Sequence, residues 1–162
     1  MAKHTVVRLD DVDTNRVVSL QYHNGTNYAE IDNGHVLKLD SLMDGQREVY
    51  KAVAPTASTP LDQIVLVASP ELMYDERKVN LDEFYNEVGV HARGYVLNRG
   101  CVVGITKDGI DGTPAVGHVI ELQAGTKLKD VATATASTTT VGRVIALETV
   151  GTYEYVVIRV EA

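Results

Sequence analysis

Five histidines, one cysteine and a crowd of carboxylates are the side chains here whose types could do chemistry. The histidines are His4, His23, His35, His91 and His118. No two stand at the spacing that puts a pair of imidazoles on one helix face to hold a metal. His23 and His35 lie beside Asn-Gly turns, where exposed polar side chains are expected. Asp10, Asp11 and Asp13 cluster, but the glycine and terminal glutamate of a calcium loop are missing, so they read as a solvated turn. Cys101, in the apolar run Cys101-Val102-Val103, reads as a small buried hydrophobe. No serine sits in a G-x-S-x-G elbow, and the glycines are scattered singly rather than forming a phosphate loop. These readings predict no enzyme, no metal and no cofactor.

The acidic crowd is the more informative feature. Glu71, Asp75, Glu76, Asp82, Glu83 and Glu87 share one segment, offset by Arg77 and Lys78. Paired carboxylates can do acid–base work. A solvated face explains them with less. The functional reading is an acidic patch that docks on a basic partner.

The elements that must carry these residues read mostly as strands. Val and Thr together make up roughly a quarter of the chain, a strand composition. Residues 1–14 read as an arm or a short first strand. Residues 15–53 read as a β-meander punctuated by Asn24-Gly25 and Asn33-Gly34, pairs that supply the positive φ of tight turns. Residues 54–60, with two prolines and small polar residues, read as a linker between two lobes. Ile64-Val65-Leu66-Val67-Ala68 is a continuous apolar run, as in a strand buried on both faces. Asn80 followed three residues later by Glu83 has capping-box spacing and predicts one short α-helix over about 80–88. Residues 61–162 read as a β-barrel-like domain. Within it, Val116-Gly117-His118-Val119-Ile120-Glu121-Leu122 echoes Val141-Gly142-Arg143-Val144-Ile145-Ala146-Leu147. Early glycines of that kind make bulges or bends. The Thr-rich residues 132–140 fit either a loop or a polar edge strand.

The net charge of −7 argues against nucleic acid or an anionic membrane surface as the main partner. The start of the chain shows no export signal, and no apolar run is long enough to span a membrane. With no disulfide possible, folding in a reducing cytoplasm is expected.

Two stretches carry a family resemblance. Arg93-Gly94-Tyr95-Val96-Leu97-Asn98-Arg99-Gly100-Cys101-Val102-Val103-Gly104-Ile105-Thr106 sets a strand on either side of a turn. Residues 141–148 and 153–160 form a closing hairpin pattern. Together they resemble the small head decoration, or capsid cement, proteins of tailed phages. The resemblance implies a mainly β fold, a small β-barrel or β-tulip-like domain with antiparallel hairpins. It implies a homo-oligomer, commonly a trimer, bound to the major capsid protein on the virion exterior. On that reading Val6, Val7 and Arg8 would pair an N-terminal arm with a capsid strand edge, while Glu71, Asp75, Glu76 and Arg77 would form the acidic contact. Other virion parts, such as a head-fibre base, a neck protein or a tail-tube subunit, and a host- or carbohydrate-binding β module are the alternatives.

Overall fold

Side chains branched at Cβ fit a pleated surface better than a helix, and the chain folds accordingly as a mainly β protein. The computed structural model describes residues 4–78 and 80–161. Its strands are β1 (Val7–Asp11), β2 (Val17–Tyr22), β3 (Val36–Leu42), β4 (Val49–Val53), β5 (Ile64–Val67), β6 (Ala92–Val96), β7 (Val102–Thr106), β8 (Ile110–Asp111), β9 (Val119–Glu121), β10 (Leu128–Val131), β11 (Thr140–Val150) and β12 (Tyr153–Val160). The pairings are antiparallel except β2 with β4 and β8 with β10.

The strands divide between two sheets. Five of them run β2-β4-β3-β5-β6, and β6 pairs back to β2 to close a barrel. The other seven form a sheet in the order β1-β7-β12-β11-β9-β10-β8. Leu20, Leu37, Ala52, Val65, Val67 and Ala92 fill the barrel, with Ile31 among them. The outward residues Val36, Ile64, Leu66 and Tyr95 pack instead with Val103, Ile105, Val156 and Ile158 of the sheet. Strand β5 therefore serves two cores, which is why it is apolar at every position.

Several expectations need correction. The barrel is built from residues 17–96, not from 61–162. The loop over 54–60 joins two strands of that one barrel rather than separating two lobes. The expected meander does not form as such. The turn at Asn24-Gly25 is made, with Asn24 N–H donating to the Asn27 carbonyl at 2.9 Å, but Tyr28 and Ile31 make only isolated bridges. Strand β2 spends its edges on β4 and β6 instead.

The α-helix over 80–88 is absent as well. A single 3-10 turn at Leu81–Glu83 stands there, and Phe84 is already extended. The capping contact itself is real: Glu83 Oε2 accepts the Asn80 backbone N–H at 2.9 Å. Three residues later Asn86 is pulled into a two-way backbone bridge with Ile31, at 2.9 and 3.1 Å, which a helix would break.

The Thr-rich stretch is a loop up to residue 139, and β11 begins at Thr140. Thr135 donates from both its N–H and its hydroxyl to the buried Glu121 carboxylate. The two echoing segments place β9 and β11 side by side in the open sheet, not in the barrel, with a bulge between Thr140 and Gly142. Among the described residues no helix is long and apolar enough to cross a membrane.

Candidate docking surface

Between β5 and β6 the chain makes its longest excursion, residues 68–91. The excursion has one floor, built from buried amides. Asn33 Nδ2 donates to the Ser69 carbonyl at 2.9 Å, and Ser69 N–H donates to Asn33 Oδ1 at 3.0 Å. Asn86 Nδ2 donates to Asn33 Oδ1 and to the Ile31 carbonyl, each at 3.0 Å. Ser69 Oγ also accepts the Arg93 N–H at 2.9 Å. Buried amides left unpaired would be costly, so this mutual satisfaction pins both ends of the excursion to the barrel rim.

Above that floor the excursion encloses a cleft of about 380 Å³. Leu72, Met73, Phe84, Tyr85 and Val90 supply its apolar lining. Tyr85 is braced: the His4 ring stacks on it at 4.7 Å, and the Lys78 ammonium lies 5.1 Å from its centroid. Along the excursion several apolar side chains face water. Tyr74 is 94% exposed and Leu72 66%, with Leu81, Val88 and Val90 also exposed. Exposed apolar side chains also occur elsewhere, at Leu42, Ile145, Leu147 and Val150 among others, but on this excursion they adjoin a cleft.

The acidic residues expected to make contact lie on this excursion. Arg77 grips Asp75 with both arms, Nε to Oδ1 at 3.0 Å and Nη2 to Oδ2 at 2.9 Å. Hydrogen bonds from Arg77 pull the Asp75 pKa down to about 2. Glu76 is exposed and Glu71 half-buried, and neither has an ion pair among the described residues.

The N-terminal candidates fare differently. Val6 and Val7 are 2% and 8% exposed, so they form no free arm. Val6 N–H donates to Thr106 Oγ1 at 3.0 Å, and β1 pairs with β7 from Val7↔Ile105 onward. Two hydrophobic side chains beside a strand with an open edge are worth more buried than projecting. Arg8 faces out. Its guanidinium bonds Asp10 at 2.8 and 3.1 Å and Glu148 at 2.7 Å, and lies 4.9 Å from the Tyr155 centroid. A second cleft, lined by Val7, Arg8, Pro70, Glu71, Arg93 and Tyr95, brings Arg8 and Glu71 to one place.

Reading the sequence missed the buried polar groups. His35 was expected in solvent, yet its Nε2 is buried without a partner and its Nδ1 shares a 2.9 Å hydrogen bond with Thr126 Oγ1. His118 Nδ1 meets the buried Asp130 at 2.8 Å. Only the tertiary fold makes these visible. Among the described residues, His, Cys, Asp and Glu form no group of three able to hold a metal ion.

No protein-family model, no curated protein and no solved structure matches the chain.

Proposed function

We propose that this chain is a structural virion protein that binds the outer surface of the assembled tailed-phage capsid and stabilises it. The observation that carries the reading is the excursion over 68–91, where exposed Leu72, Tyr74, Val88 and Val90 stand among carboxylates on a floor fixed by buried amides. Apolar side chains held in water by a rigid scaffold favour contact with another protein surface. The major capsid protein is the partner, and the chain acts as one of many symmetric copies, a trimer in the simplest arrangement. It catalyses nothing and takes no cofactor. It binds the assembled shell in preference to loose subunits and so stabilises the shell by mass action. Many bound copies multiply a modest contact energy.

The N-terminal part of the original contact set changes role. Val6 and Val7 stabilise this chain's own sheet, and truncating residues 1–14 would damage the fold rather than probe docking. Contact falls instead to the excursion, with Arg8 and Glu71 at its flank.

Co-sedimentation of the purified protein with expanded capsids that lack it tests the proposal. Saturation at a symmetric number of copies, with a raised capsid melting temperature, is the expected result. Failure to bind the shell, or ring formation by the pure protein in its place, overturns it in favour of a neck or tail part.

A further inference from the structure

We infer that the cleft walled by residues 69–78 and 83–91 receives one large apolar side chain from an extended, lysine- or arginine-bearing segment of a partner polypeptide. Identifying that partner as the capsid protein rests on the reading above; the chemistry of the cleft does not.

Two features of the cleft argue together. Leu72, Met73, Phe84 and Val90 offer an apolar interior, and its volume of about 380 Å³ sits at the low end of the ~300–1,000 Å³ typical of binding clefts. The lining comes from two stretches of loop, residues 69–78 and 83–91, and a cleft of this size suits one side chain of an extended segment. The second feature is charge. Across residues 69–91 the sequence carries more carboxylates than cations, and Glu76 and Glu87 are the exposed ones among them. Both cations are already engaged, Arg77 by Asp75 and Lys78 by the Tyr85 ring. Glu87 lines the cleft, Glu76 is exposed next to the lining residue Asp75, and neither carries an ion pair among the described residues.

An acidic partner is repelled by this field. A neutral apolar partner gains nothing from the carboxylates, and a purely basic one leaves the lining wet. A segment with an apolar anchor flanked by cations satisfies both features. The anchor supplies most of the affinity, and the charges supply rate and selectivity.

The test uses the full chain and three synthetic heptapeptides: Gly-Lys-Ser-Phe-Ser-Lys-Gly, a twin with Glu for both Lys, and a twin with Ser for Phe. Nitrogen-15 amide spectra are recorded for the wild type, Leu72→Ser/Val90→Ser and Glu76→Lys/Glu87→Lys. All four positions are exposed, so the fold and melting temperature should hold. The first peptide is expected to shift the amides of Leu72, Met73, Phe84 and Val90, and to bind roughly tenfold more weakly in high salt. Both twins and both variants should lose most of that response. Shifts elsewhere, no shift at millimolar peptide, or equal binding of the Glu twin overturns the inference. Capsid co-sedimentation of the same variants separates the two readings. If the wild type and both variants bind shells alike, docking on the capsid stands but does not use the cleft, and the peptide spectra alone decide the cleft inference. If no shell binds but the peptide maps to the cleft, the cleft stands and the capsid reading falls.

Discussion

Arg77 holds Asp75 through two side-chain hydrogen bonds and a backbone one, although both residues lie in water. The contact keeps the carboxylate ionised well below its usual range, down to about 2. A carboxylate with a lowered folded pKa adds stability above its unfolded value near 4 and loses it as pH falls toward 2. Here water screens the pair, and little global stability follows. The expected consequence is local. In an NMR titration Asp75 should move at about pH 2 in the wild type, and at about 4 in Arg77→Ala, the ordinary value for a free aspartate. An unchanged midpoint would mean that the pair does not form in solution. The spacing of Asp75, Glu76 and Arg77 marked them as exposed charges, and local chemistry sufficed to read them. Val6 and Val7 could not be read that way. Two valines carry no period, and what buries them is a strand around Thr106, far along the chain.

Gly117 and Gly142 hold matching places in the two echoing segments, yet each segment needs its glycine for a different reason. Gly117 has φ +91° in open space, so it serves a turn. Gly142 sits at a bulge against the backbone of β12, where an added Cβ would run into the Arg159 carbonyl oxygen. Gly117→Ala should therefore cost about 1–2 kcal/mol, the strain of the left-handed region. Gly142→Ala should cost about 3 kcal/mol, because a β-strand backbone must move to admit it. Urea denaturation of both variants checks the order, and equal losses would show that the bulge gives way cheaply. The bulge at Gly142 was legible as a motif, whereas Gly117 makes a turn ahead of its strand; β5 was legible because burial on both faces leaves no polar position to blur it. The helix over 80–88 was misread for the opposite reason. Asn80 and Glu83 spell a helix start, and the start is made, but the Asn86 bridge to Ile31 outbids the next turn. A contact across sequence carries no local signature.

The division into barrel and sheet was not legible at all. It depends on β6 returning to β2 and on β3 and β5 turning one face of each strand toward a second core. His35 stands where the two meet. Its neighbour Val36 donates its N–H to the Thr126 carbonyl at 2.7 Å, and its own ring bonds the Thr126 hydroxyl, tying the barrel to the loop that leads into β10. Burial pushes the His35 pKa below its usual value, and Lys127 adds to that. Asp32, Asp108 and Asp111 pull the other way without overcoming it. The folded state thus resists a proton that the unfolded chain accepts from about pH 6.5 downward. Stability should be flat in this group above pH 7, fall as pH drops below the unfolded value, and level off once the folded ring is also protonated. For one proton the slope cannot exceed about 1.4 kcal/mol per pH unit. Urea unfolding at pH 7.5, 6.5, 5.5 and 5.0 reads the curve. His35→Gln keeps a polar side chain but removes the titration, and should lessen the decline between pH 6.5 and 5.0. Every other ionisable group is common to both proteins, so the difference between the two curves reports His35 alone. Parallel curves would show that the junction stays open enough for water to solvate the protonated ring. A gentler decline in the variant would locate an acid-sensitive seam between barrel and sheet.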